Sequence, residues 1–415
     1  MNLQTITYWV MGVLIVGAFT VGAWIFFVTV PSAKQVTPTA QQSGFGVGDT
    51  RTVTVLSTPS ASENTTISTT PTQGTAQKVF KVADGPVTTA TLIQTYHPTT
   101  TLARYVQQEN GHVFDLILDN SGVVARAVSN TTIPGTVQGH WALGGGSVVL
   151  QYLEDSSAKT VSVGLPVATS SASSTKAQAI HIQFLPDNII DYALSPDGKN
   201  MVYLLKTAAG SDGFVAKVDG GSSKKLFSTP LSEVLVSWPA LDTLLLQTKS
   251  AAGVTGAAFS VNAQSGAVTP LVYAPGLTAI ADAAFSRIVY QTLGVDSSSY
   301  VHDVKSGKDK ALSFNPIPEK CIWSKVKTTL LYCAAPLAYT APSYLDLWHR
   351  GVASMADSLF SFDVATGQSA IIASPGGSEG GVASDIEELS VSPDDHYLLF
   401  VKKGDHSLWG VRLTQ

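Results

Sequence analysis

The sequence predicts an all-β chain folded as a seven-bladed β-propeller, and three observations predict it. A unit of four short apolar runs, each closed by a turn, recurs at a spacing of roughly forty to fifty residues. The third runs share one pattern: FVAKVDGG at 214–221, FSVNAQSG at 259–266, YVHDVKSG at 300–307 and FSFDVATG at 360–367. The last unit is one strand short, and a spare strand stands at the start of the repeat region.

The units run 87–130, 136–184, 189–229, 233–273, 277–314, 320–374 and 386–413. The third is the clearest: apolar runs at 190–195, 201–205, 214–218 and 225–227, the first two joined by Pro196, Asp197 and Gly198. Proline presets φ at the second position of such a turn, and Asp and Gly tolerate the backbone angles of the next two positions. The second unit carries a Ser/Ala insertion at 168–176. Units one and two are weak in pattern, so six and eight blades stay open. The seventh has runs at 389–392, 397–401 and 408–413. A propeller must remove its open sheet edges, usually by pairing its two ends in one blade. Residues 79–82 are therefore expected to complete the seventh unit, because KVFKV at 78–82 resembles KKLFS at 224–228.

The chain of 415 residues divides into a short tail (1–7), an apolar span (8–30), a linker (31–77) and the propeller (78–415). Residues 8–30 carry no charged side chain, and at 1.5 Å per residue they cover roughly 35 Å, enough for a bilayer core of ~30 Å. Tyr8, Trp9, Trp24 and Phe27 put rings toward both ends of that run, as an interfacial belt does. A cleaved signal peptide fits less well, since the run is long and no basic segment precedes it. Ser and Thr fill 18 of the 46 positions from 32 to 77, the composition of an exposed, disordered stalk. A single-pass membrane anchor is expected, with the propeller outside the cytoplasm. Lys34 alone leans the other way, and one lysine is a small bias against a domain of this size. Net charge is −5 and only 13% of residues are charged, with no basic block, so nucleic acid is not an expected partner.

The turns at 194–199 (LSPDGK) and 391–395 (VSPDD) resemble the S-P-D-G hairpins of TolB-type bacterial propellers, a branch of WD-like repeats. Units four, five and six depart from that motif. The turns DVKSG, NAQSG and DVATG at 303–307, 262–266 and 363–367 are similar to those of quinoprotein-like propellers, which include non-catalytic envelope-assembly factors. The resemblance implies a binding module of a bacterial cell envelope, with another envelope protein as partner.

Chemistry-bearing patterns are sparse. Cys321 and Cys333 are the two cysteines and lie equidistant from Lys327. Antiparallel pairing about that centre puts them opposite one another, as a disulfide needs. Two buried thiols acting as small hydrophobes are the alternative. No metal site is expected, since two cysteines without nearby histidines are too few for zinc, and no cofactor is expected. GGSEG at 376–380 matches G-x-S-x-G but lacks the strand-to-helix context that would make Ser378 a nucleophile. The eight histidines are scattered and read as surface or loop residues. Asp191, Asp197, Asp303, Asp363 and Asp394 read as turn residues.

One segment breaks the repeat. Between the second and third runs of unit six, residues 336–357 form a link far longer than its counterparts, carrying Tyr339, Tyr344, Trp348, His349 and Arg350. Tyr, Trp and Arg dominate binding hot spots, and long loops on rigid scaffolds carry function. These five residues are the candidate binding site, with packing onto the blade face as the plainer reading. The expectation is a non-enzymatic binding or scaffold module. The alternatives are a propeller enzyme acting on envelope glycans and a quinoprotein-like assembly factor.

Overall fold

The computed structural model describes residues 78–413 apart from 97–98, 120–123, 167–179, 294–296, 338–342 and 375–383. The expected membrane span, the linker, Tyr339 and Ser378 lie outside the described residues. Among the described residues no helix is long and apolar enough to cross a membrane.

Seven antiparallel sheets of four strands each make the fold. Blade 1 is β2 (Val87–Thr95), β3 (Thr100–Gln107), β4 (Val113–Ile117) and β5 (Arg126–Ser129). Blade 2 is β6 (Thr136–Trp141), β7 (Ser147–Glu154), β8 (Ser157–Gly164) and β9 (His181–Phe184). Blade 3 is β10 (Ile189–Leu194), β11 (Asn200–Thr207), β12 (Gly210–Lys217) and β13 (Lys224–Thr229). Blade 4 is β14 (Val234–Ala240), β15 (Thr243–Thr248), β16 (Thr255–Asn262) and β17 (Val268–Pro275). Blade 5 is β18 (Thr278–Ala281), β19 (Arg287–Leu293), β20 (Ser297–Asp303) and β21 (Lys308–Ala311). Blade 6 is β22 (Cys321–Trp323), β23 (Leu330–Pro336), β24 (Asp357–Asp363) and β25 (Ser369–Ala373). Blade 7 is β26 (Ile386–Val391), β27 (Tyr397–Lys402), β28 (Leu408–Arg412) and, outermost, β1 (Val79–Ala83). Blades 1 and 2, weak in sequence, are complete sheets, which leaves neither six nor eight.

Apolar runs become strands here because each blade is covered on both faces by its neighbours. The second strands are the most apolar and the most buried: Met201, Val202 and Leu204 in β11, Leu244 to Leu246 in β15 and Leu398 to Phe400 in β27 are all 0% exposed. Each such side chain contributes about 1.5–3 kcal/mol. Between blades 3 and 4, Ala193, Val202 and Leu204 pack on Val234, Val236 and Leu244.

The turns repeat their chemistry with their sequence. Ser195 Oγ donates to Asp197 Oδ1 (2.6 Å) and accepts from the Asn200 N–H (2.9 Å). Ser392 Oγ makes the same two bonds with Asp394 (2.6 Å) and the Tyr397 N–H (3.0 Å). At the third-to-fourth-strand turns, Asp303 accepts from the Ser306 N–H (2.7 Å) and Asn262 from the Ser265 N–H (2.8 Å). Gly307 and Gly266 follow at φ 65° and 73°, where a side chain would be strained.

β1 closes the ring. It pairs antiparallel with β28, Val79 opposite Val411 and Phe80 opposite Gly410, so both ends of the repeat region share blade 7.

Candidate functional site

The link between β23 and β24 folds into a short helix, α1 (Tyr344–His349). Leu345 and Trp348, one turn apart, are its buried face at 4% and 7% exposure. Six residues are too few to hold a helix in water, so tertiary contacts must fix it.

Those contacts reach four blades on one face of the ring, the face where the chain enters each inner strand. The Asp346 carboxylate accepts the Ala252 N–H of blade 4 at 3.0 and 3.1 Å. Leu345, Trp348 and Met355 pack on Leu293 of blade 5 and Ile317 beyond it. His349 Nε2 meets Glu319 Oε2 at 2.7 Å. Trp348 Nε1 donates to both oxygens of Asp385, at 2.9 and 2.8 Å, and Lys403 of blade 7 donates to the Trp348 carbonyl at 3.0 Å.

Beneath α1 lies a buried ion cluster. Lys320 Nζ donates to Asp357 Oδ2 (2.7 Å) and Asp385 Oδ1 (2.8 Å), and these side chains are 0–1% exposed. The Ile386 N–H donates to Asp357 Oδ2 (2.8 Å) and the Met355 N–H to Asp385 Oδ2 (3.1 Å). The indole of Trp348 is flanked by two ammonium groups, Lys320 at 4.6 Å and Lys403 at 3.5 Å from its ring centre. Burial raises the Asp357 carboxyl against the pull of Lys320, and burial lowers the Lys403 amine.

The candidate residues thus separate. Trp348 turns inward and is spent on Asp385. Tyr344 is half-buried and its hydroxyl donates to the Ser354 carbonyl. Arg350 is exposed, and the His349 imidazole turns to Glu319 at the edge of a pocket. Lys320, Asp357, Asp385 and Lys403, none of them singled out in the sequence, hold the helix. Their one sequence signal is position: Lys320 and Asp385 each stand directly before a strand, and Asp357 begins one.

Cys321 lies next to Lys320 and opposite Cys333 in the β22–β23 pair, with the two sulfurs bonded at 2.10 Å.

A pocket of about 300 Å³ opens beside α1 between blades 4 and 5. Leu235, Leu277 and Ala279 make its apolar wall, with Lys249, Glu319 and His349 also lining it. Gln247 clamps the blades behind it, donating to the Ala279 carbonyl (3.2 Å) and accepting the Ala279 N–H (2.8 Å). Gln151 makes a related bond to Ile189 between blades 2 and 3 at 3.0 Å. At the matching place toward blade 6, the amide of Gln291 is buried with no hydrogen-bond partner, as is the hydroxyl of Thr278 opposite it.

The innermost strands carry a second group. Asp191 is not a turn residue, as its sequence context suggests, but lies in β10, its carboxylate accepting the Val236 N–H of blade 4 at 2.6 Å. Burial pushes it up to about 6. Glu388 in β26 has φ 54° at a bulge. It touches solvent yet sits deep within the ring, which, with Glu387 beside it, pushes its carboxyl up to about 7. Its field reaches Tyr192 of blade 3. His140 in β6 is no surface histidine: it sits edge-on to Tyr192 at 4.9 Å, and burial lowers it to about 4. Among the described residues no three His, Cys, Asp or Glu side chains are grouped to hold a metal.

No family model matches the chain, and no curated protein matches it. Solved structures share its fold. The tricorn protease aligns with a TM-score of 0.50 at 10% identity, over 82% of this chain and 34% of that one. TolB from Acinetobacter baumannii aligns with a TM-score of 0.43 at 10% identity, over 70% of this chain and 64% of that one. Puromycin hydrolase aligns with a TM-score of 0.47 at 17% identity, over 80% and 53%. The chain spans less than two thirds of the length of each, and the likeness is one of fold. The sheets define the class: a seven-bladed β-propeller closed by its own first strand.

Proposed function

We propose that this chain is a non-catalytic binding or scaffold module of a bacterial cell envelope, anchored in the membrane by residues 8–30 and displayed outside the cytoplasm on the linker 31–77. The observation that carries the reading is α1. Its inward residues are tied to blades 4 to 7, while His349 lines an open pocket and Arg350 is exposed beside it. A loop fixed on this scale presents its outer face without a large ordering cost on binding, which suits recognition. The cysteine pair suits an oxidising compartment. The partner is another envelope protein, in line with the resemblance to TolB-type and assembly-factor propellers. The test is crosslinking and pull-down from membranes, comparing the wild type with a chain in which 343–354 is a short Gly/Ser link. Loss of a specific partner on an otherwise folded propeller supports the reading. Equal capture by both removes α1 from it.

A catalytic reading, an enzyme of envelope glycans, has one observation in its favour. Asp191 and Glu388 are both raised toward the working range of a general acid. Release of reducing ends from envelope glycan by the wild type, and not by Glu388→Gln, would select it.

A further inference from the structure

The pocket beside α1 divides its chemistry between interior and rim. Inside, the polar groups are already committed, the buried Thr278 hydroxyl excepted. Both ends of the Gln247 amide are bound to Ala279. Thr248 Oγ1 accepts the Ala257 N–H at 3.0 Å, and Ser250 Oγ donates to the Gly276 carbonyl at 2.9 Å. What remains for a guest, beside that hydroxyl, is hydrocarbon: Leu235, Leu277 and Ala279. A volume of about 300 Å³ is at the small end for ligand sites.

The remaining polar lining carries both signs. Lys249 stands on the blade 4 side, 3.3 Å from Glu233, but Lys206 holds the same carboxylate at 3.3 Å. Two ammonium groups thus share the Glu233 carboxylate, and the charge of Lys249 also reaches Asp191. On the other side Glu319 meets the imidazole of His349, both about one-third exposed, and its charge also reaches Lys403. Glu319 and Lys249 come from different blades and are brought to one pocket by the fold.

We propose that this pocket binds a free α-amino acid with a mid-sized apolar side chain, such as leucine. The side chain enters between Leu235, Leu277 and Ala279, Glu319 receives the α-ammonium, and Lys249 receives the α-carboxylate. The idea rests on reading the propeller as a binding module, and it names a small ligand for the site beside α1. Charge-assisted bonds of this kind are the strong ones, and losing one is expected to weaken binding about tenfold or more.

The test is calorimetric titration of the full chain in detergent with L-leucine, N-acetyl-L-leucine, L-leucinamide and L-alanine. Saturable binding of leucine is expected, with each capped form and alanine weaker by about tenfold or more. Glu319→Gln should lose the preference for leucine over its acetylated form, and Lys249→Gln the preference over the amide. Both positions are exposed or half-exposed, so unchanged melting temperatures verify that the variants fold. No saturable leucine binding, or equal binding of a capped form, overturns the proposal. Partner capture from membranes, measured on the same Glu319→Gln chain, reports on the binding-module reading separately: capture that persists without leucine binding removes only the ligand.

Discussion

The ring of Phe80 occupies the space that a side chain at Gly410 would need: a Cβ there would stand 2.5 Å from Phe80 Cζ. The two residues face each other across the β1–β28 seam. The Arg412 guanidinium lies 4.5 Å over the same ring, and Tyr397 meets it edge-on at 6.3 Å. The seam that closes the propeller is thus a fitted aromatic contact as well as a ladder of hydrogen bonds.

Phe80→Ala is expected to lower stability by about 2 kcal/mol, since the ring is only partly buried. Gly410→Val is expected to be worse, because it expels the ring and strains the pairing. Urea denaturation measures the first. Amide exchange in β28 measures the second and should show the seam opening before the rest of blade 7.

Lys320→Met leaves Asp357 and Asp385 buried together without their cation. Removing one partner of a buried pair costs about 3–5 kcal/mol. The loss should appear in chemical denaturation together with a red shift of Trp348 emission as α1 detaches. An unshifted emission spectrum in a folded variant would show that the cluster does not hold the helix.

Glu388 and His140 make opposite demands on pH. Glu388 is raised from 4.5 to about 7, so the folded state favours its protonated form and stability falls as pH rises through that window. His140 is lowered from 6.5 to about 4, so the folded state favours its neutral form and stability falls as pH drops through that window. Glu388→Gln should therefore gain on the wild type as pH rises from 4.5 to 7, and His140→Gln should gain as pH falls from 6.5 to 4. After allowance for solvent screening, each effect should be about 1–2 kcal/mol. Melting temperatures across that range decide the signs.

The Cys321–Cys333 link closes a separation of 12 residues beside Lys320. Replacing both cysteines by serine is expected to cost about 2–3 kcal/mol. Peptide mapping without reductant, on protein exported from the cytoplasm, should recover the two cysteine peptides as one species. Separate peptides would show that the thiols stay free.

Much of the fold was legible because propeller blades are local. A four-stranded unit with short turns writes its pattern into consecutive residues, so the Ser392–Asp394 turn and the strand at 79–82 could be read without knowing what surrounds them. The likeness of 78–82 to 224–228 points to the right strand, although the pairing of Phe80 with Gly410 sets a register two residues from that alignment. The site was legible only as a break in the repeat. That Trp348 turns inward depends on Lys320 and Asp385, which are distant in sequence and carry no motif. The positions of Asp191, His140 and Glu388 within the ring follow from closure of all seven blades, which no single unit records.

The seam at β1 also has a mechanical meaning. The Arg412 N–H donates to the Lys78 carbonyl at 2.9 Å, and Val79 pairs with Val411 immediately after. A pull on the chain at Lys78 therefore meets the seam at its end, where the Lys78–Arg412 bond comes first. Blade 7 is the blade that such tension reaches first, and it is also the blade whose Lys403 and Asp385 clasp Trp348. Force applied along the N-terminal segment and the anchoring of α1 share one load path.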